Sequence, residues 1–160
     1  MERIDLILSN PGFVESVRKC EEYEKDRVFC RHGFDHLTDV ARIARILNSE
    51  EAKGVDNELL YAAALLHDCG RYIQYETGIR HEEAGAKPAG KILSECGFSE
   101  EEIRRIVNAI KLHRNREEAF KEPLSELIYR ADKLSRDCYF CKAAGECNRA
   151  PEKRNTKFVI

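Results

Sequence analysis

Leu59-Leu60-Tyr61-Ala62-Ala63-Ala64-Leu65-Leu66-His67-Asp68-Cys69-Gly70-Arg71 is the stretch on which the fold turns. Its first eight residues are almost all apolar, and a helix of that length with no polar face must be buried on most sides. The segment reads as the central helix of a core, with Gly70 as its C-terminal stop. Its end carries the chemistry. His67 lies seven, four and three residues after Leu60, Ala63 and Ala64, so it shares their inward face, and Asp68 stands beside it.

Helical spacing continues on both sides. Asn10-Pro11 pairs an N-cap with a first-turn proline ahead of Phe13, Val14 and Val17. From Phe34 to Asn48 a single stripe holds Leu37, Val40, Ile43, Ala44 and Leu47, and a polar connection from Ser49 to Asp56 follows. Downstream, His81 to Cys96 is rich in small residues suited to close helix packing, and Gly97 is a second stop. Ser99 and Glu102 form a capping box before Ile103, Ile106, Val107 and Ile110, and Pro123 opens a last clear helix through Leu124, Leu127, Ile128 and Ala131. No run alternates as a strand would, and nothing repeats. The expectation is an all-α fold of about six helices, one compact domain over residues 1–160 with a cysteine-bearing tail from 135.

Composition narrows the function. A chain of 160 residues suits one core, and 42% apolar with 35% charged residues is a globular mixture. A net charge of −2 gives no footprint for a long polyanion, so a small molecule is the expected partner rather than nucleic acid. The charged start Met1-Glu2-Arg3-Ile4-Asp5 does not read as a signal peptide, and no stretch approaches a membrane span, which makes a cytoplasmic protein the expectation. Seven cysteines in such a chain read as thiols or thiolate ligands rather than as a disulfide framework.

Four histidines and two aspartates share the inward stripes. His36 precedes Val40, Ile43 and Leu47 by four, seven and eleven residues; His81 leads the small-residue stripe; His113 continues Ile103, Ile106 and Ile110; Asp132 follows Leu124 and Ile128 in steps of four. One histidine on an apolar face is usually a hydrogen-bonded core residue. Four imidazoles and two carboxylates in so small a core would each cost on the order of several kcal/mol unless paired or bound to metal. Imidazole and carboxylate suit iron, manganese, zinc, cobalt or nickel.

A histidine, then His67-Asp68 after an Ala-Ala-Ala-Leu-Leu run, then a later aspartate resembles the metal-dependent phosphohydrolases of the HD superfamily. The resemblance covers about residues 34–134, and Leu65 to Arg71 is similar to the family's His-Asp-x-Gly-Lys form with arginine in place of lysine. It implies one metal on His36, His67 and Asp132, a second on His81 and His113, and Asp68 bridging them. A metal-activated water would then attack phosphorus, with Asp68, Arg71 and Lys133 at the reacting centre and Arg71, Arg80 and Lys133 available to substrate phosphate. The same ligand order is also similar to that of HD-domain mixed-valence diiron oxygenases, and a binding module that holds a nucleotide without turnover is a third reading.

Cys138, Cys141 and Cys147 form a C-x2-C-x5-C run, and Cys30 is the candidate fourth ligand of an additional zinc or iron–sulfur centre, because His36 and Asp132 must meet if they share a metal. Cys20, Cys69 and Cys96 are expected to pack in the core. His32 reads as a surface-loop residue, with its closeness to His36 offering substrate contact as the lesser alternative.

Overall fold

The computed structural model describes residues 1–158 of the 160. It is all-helical, with no strand among the described residues. Six helices have ten residues or more: α2 (Pro11–Tyr23), α3 (Phe34–Glu50), α4 (Asn57–Leu66), α7 (Ala86–Glu95), α8 (Glu100–Leu112) and α10 (Pro123–Leu134). These are the six expected from the periodicities. Four shorter ones lie among them: α1 (Glu2–Ser9), α5 (Arg71–Thr77), α6 (His81–Ala84) and α9 (Arg116–Ala119).

Helix α4 sits at the centre and packs against α1, α3, α8 and α10. All its leucines and alanines are buried, and only Tyr61 among its apolar residues reaches the edge. Its start is fixed by Asp56, whose carboxylate accepts the Glu58 and Leu59 amides at 2.9 and 3.1 Å. The connection before it is held by Asn48, which donates to the Val55 carbonyl and accepts its amide. Asn10 caps α2 and the Ser99–Glu102 box caps α8, both as the sequence indicates. Arg3 on α1 reaches Glu58 and Glu102, tying the starts of α4 and α8 together. Among the described residues no helix is long and apolar enough to cross a membrane.

Gly70 departs from its expected role. It does not end α4 in a left-handed conformation: its φ is −86°, and α5 begins at the next residue. The glycine is needed for space. A Cβ there would lie 2.3 Å from the backbone N of Gly85 and 2.3 Å from the His81 carbonyl O, distances that no heavy atoms tolerate. Gly85 itself separates α6 from α7, so the helix expected from His81 to Cys96 is divided at this contact. The His67–Gly70 turn is thereby pressed against the segment that carries His81.

Glu24, just after α2, is 1% exposed, and its carboxylate accepts the His32 amide at 2.6 Å and the Tyr75 hydroxyl at 2.6 Å, with His32 Nδ1 at 2.7 Å. Burial alone would raise the pKa of this acid, but the His32 and Tyr75 hydrogen bonds and the His32 charge bring it down to about 2. The group locks α2 and α5 around the loop that precedes α3.

Gly70→Ala is expected to lower the urea midpoint by an amount equivalent to about 3 kcal/mol or more, because the obstructing atoms are backbone. Gly145→Ala, where a Cβ meets nothing within 4 Å, should leave the midpoint nearly unchanged. Equal midpoints for the two variants would contradict the tight approach.

Candidate metal centre

Five helical segments deliver the six polar side chains. His36 stands near the start of α3, His67 and Asp68 follow the end of α4, His81 opens α6, His113 caps α8, and Asp132 lies in the last turn of α10. The last five of these residues are each at most 8% exposed. His36 and Asp132 are the most open, each with 11% of its side chain accessible. Their ligand atoms form two groups, His36 with His67 and Asp132, and Asp68 with His81 and His113, each with all members mutually within 4.8 Å.

Asp68 faces both groups with different atoms. Its Oδ2 lies 3.5 Å from His67 Nε2 and 3.7 Å from His36 Nε2, whereas its Oδ1 lies 3.1 Å from His81 Nε2 and 3.7 Å from His113 Nε2. Asp132 Oδ1 approaches His36 Nε2 at 3.6 Å.

Hydrogen bonds behind the rings assign the tautomers. His67 Nδ1 lies 2.6 Å from the Ala64 carbonyl, His113 Nδ1 2.6 Å from the Ile110 carbonyl, and His81 Nδ1 2.6 Å from Gln74 Oε1. These oxygens only accept, so in each neutral ring Nδ1 carries the proton and Nε2 presents a bare lone pair. Yet His81 Nε2 and His113 Nε2 stand 3.1 Å apart, and His36 Nε2 and His67 Nε2 3.3 Å apart. For His81 and His113, both with Nδ1 protonated, two lone pairs at that separation repel unless a cation lies between them. The donor set therefore fits divalent transition ions, in the way second-shell carbonyls commonly orient imidazole ligands.

A proton is a poor substitute at neutral pH. Burial, followed by repulsion from His67, takes the pKa of His36 down to about 4 and that of His113 to about 3. Asp68 is drawn the other way. Burial alone would raise its pKa, but the Arg71 guanidinium, 3.2 Å from Oδ2, and the neighbouring histidines hold it well below the usual carboxylate range. Asp132 is likewise held low despite its burial, chiefly by Lys133, whose ammonium pairs with Oδ2 and donates to the His113 carbonyl at 2.9 Å.

Of the basic residues singled out from the sequence, Arg71 and Lys133 reach the site and Arg80 does not. Arg80, at the N-cap of α6, has 63% of its side chain exposed and pairs with Glu82, whose other carboxylate oxygen lies 3.5 Å from His81 Nδ1; Arg80 itself does not line the cleft. Other groups arrive that the sequence reading omitted. Gln74 on α5 orients His81, Ser135 Oγ lies 3.3 Å from His36 Nδ1, and Arg136 lies 3.8 Å from Asp132 Oδ2. His32, read as a loop residue, is anchored on Glu24 with its ring edge-on to His36 at 5.3 Å between centroids. Both groups border a cleft of about 700 Å³ that reaches His81, His113 and Asp132 and is also lined by Arg27, Arg71, Arg114, Lys133 and Arg149.

Comparison with known proteins agrees with this geometry. An uncharacterized protein of Clostridium beijerinckii is 41% identical over 157 residues, 98% of each chain. Ribonuclease Y of Aquifex aeolicus is 35% identical over 100 residues, which are 62% of this chain and only 16% of that longer one. In three dimensions the chain is similar to a crystal structure described as a predicted HD superfamily hydrolase from an uncultured Thermotogales bacterium, with a TM-score of 0.65 and 24% identity over 89% of this chain and 79% of that one; at this identity the likeness speaks for the fold. Residues 33–137 match the family described as HD domain, a span that contains all six converging side chains, and the chain belongs to that family.

Proposed function

We propose that the protein is a metal-dependent phosphohydrolase that cleaves a nucleotide or another small phosphate ester at a dinuclear site. His36, His67 and Asp132 would hold one divalent ion, His81 and His113 the other, and Asp68 would serve both. The observation that carries this reading is the opposed Nε2 lone pairs of His81 and His113, 3.1 Å apart, and the close Nε2 approach of His36 and His67 at 3.3 Å, with one carboxylate presenting a different oxygen to each pair. Divalent ions bound there supply Lewis-acid activation of water and neutralise charge on a phosphate.

The chain's own residues do the rest. The carbonyls of Ala64 and Ile110 and the Gln74 amide keep the imidazoles turned with Nε2 inward. Arg71, held by Asp68, and Lys133, held by Asp132, keep positive charge at the inner end of the cleft, where phosphate oxygens would sit. Arg27, Arg114, Arg136 and Arg149 continue that charge outward, against Asp132 and Glu152 as acids on the same wall. A cationic cleft of about 700 Å³ suits a small polyanion, so a substrate with more than one phosphate is favoured. Partial similarity to enzymes named ribonucleases is consistent with a phosphate-ester substrate.

Protein purified anaerobically should carry two transition-metal ions at the histidine site, and His81→Ala should retain one. Wild type should release phosphate from nucleotides or generic phosphate esters, with Arg71→Ala lowering kcat/KM by roughly 10- to 100-fold. Two irons with a dioxygen-dependent spectrum and no phosphate release would overturn the hydrolase reading in favour of an oxygenase; tight nucleotide binding without turnover would overturn it in favour of a binding module.

Protonation of the metal-free protein gives a further check. His36 and His113 take up protons near pH 6.5 when unfolded but only near 4 and 3 when folded. Their neutral, folded state is fully favoured above pH 6.5, and this stability is lost as pH falls toward 4 and then 3. Between pH 7 and pH 5 the loss is on the order of 2 kcal/mol for each histidine. Urea midpoints of chelator-treated protein should fall accordingly; a midpoint constant over that range would contradict the assignment.

A further inference from the structure

Beyond the histidine centre, the four remaining cysteines outside the core gather at one place. Cys69 and Cys96 are buried in the apolar core and Cys20 is buried against the His32 carbonyl, and burial takes the Cys20 and Cys69 thiols up to about 12, as inert packing thiols behave. Cys30, Cys138, Cys141 and Cys147 are only half-buried, belong to no disulfide, and all line one small cavity of about 30 Å³. Cys30 comes from the loop before α3; the other three come from the segment after α10, more than 100 residues away in the chain.

That segment lacks an ordinary means of staying folded. From Ser135 to Phe158 it is built of three short 3-10 turns, and Ala143 is the only apolar side chain it buries among the described residues. Tyr139, Phe140 and Phe158 are half or more exposed. Small segments with so little core are usually stapled by disulfides or a metal. A 3-10 turn spans Cys138–Phe140, with the Cys141 amide donating to the Cys138 carbonyl, which sets the C-x2-C pair at the two ends of one tight turn.

The electrostatics match a thiolate centre. Four thiolates around a divalent ion leave a net charge of −2. Arg149 and Arg154 line the same cavity; burial raises the pKa of the Cys30 thiol, and Arg149 and Arg136 partly offset that rise. Arg154 also donates to the Cys147 and Ala144 carbonyls and Arg27 to the Cys30 carbonyl, so both sides of the cluster are held by guanidinium groups. The cavity, about 30 Å³, has room for a single ion.

We propose that Cys30, Cys138, Cys141 and Cys147 bind one zinc-class ion as a four-thiolate structural site, stapling the C-terminal segment beside the cleft. No three of these thiols lie mutually within 4.8 Å among the described residues, and a tetrahedral site with metal–sulfur bonds of about 2.3 Å brings sulfurs to about 3.8 Å apart, so ion binding draws the loops inward. The consequence reaches the histidine site through Arg149, which lines both the cysteine cavity and the cleft.

Cobalt(II) is the probe, because thiolate coordination gives an intense sulfur-to-cobalt charge-transfer band that nitrogen and oxygen ligands do not. Wild-type protein grown or reconstituted with cobalt should show this band, His81→Ala should keep it, and Cys141→Ser should lose it together with one equivalent of metal. Retention in His81→Ala makes the test independent of the hydrolase reading. In zinc-loaded wild type, four thiols fewer should react with a thiol reagent than after chelation. Absence of the band in wild type, or full reactivity of those thiols before chelation, would overturn the proposal even if Cys141→Ser fails to fold. Acid-labile sulfide accompanying the metal would overturn it in favour of an iron–sulfur cluster.

Discussion

Imidazole nitrogens that point at one another without protons between them are the constraint around which this molecule is arranged. Each of His67, His81 and His113 gives its Nδ1 proton to an acceptor behind the ring, which leaves Nε2 no choice but to present a lone pair to the interior. An apolar helical core is a poor medium for four imidazoles and two carboxylates. The cations nearest the centre, Arg71 and Lys133, are each already engaged with a carboxylate. The arrangement makes chemical sense as a cation-binding centre, and the surrounding helices serve to hold it in register.

The turn between α4 and α5 is where that register is set. It places His67 and Asp68 on consecutive residues, yet directs His67 toward His36 and the two oxygens of Asp68 toward separate histidine pairs. Such a turn must lie close to the His81 segment, and the contact between Gly70 and the backbone of His81 and Gly85 provides the closeness. Arg71, the first residue of α5, can then fold back on Asp68, while Gln74 one turn later reaches His81. A single short helix thus supports both the shared carboxylate and one of its partners.

Much of this was legible because the ligands ride on long helices. His36, His113 and Asp132 fall on stripes set by four or more apolar residues, and a periodicity sustained over several turns leaves little freedom in which way a side chain faces. The same logic failed where elements are short. The two buried isoleucines of α1, Ile4 and Ile7, make one repeat and no pattern, and α5 buries no residue fully, so its sequence carries no stripe at all. Gly70 was misread because a glycine required for close approach looks, in sequence, the same as one required for a positive φ. Arg80 shows the limit of adjacency: one residue from His81, it is mostly exposed and engages Glu82 rather than the cleft. Gln74 enters the site through a tertiary hydrogen bond to His81 that no local spacing encodes, and His32, whose closeness to His36 is visible in sequence, is fixed there by Glu24.

Anomalous diffraction from crystals of the metal-loaded protein tests the central claim most directly. The account predicts two ions in the core, one bonded to His36, His67 and Asp132, the other to His81 and His113, with Asp68 giving one oxygen to each. Crystals grown with saturating metal that show no ion among these histidines, or a single ion with His81 and His113 left hydrogen-bonded to each other, would contradict it.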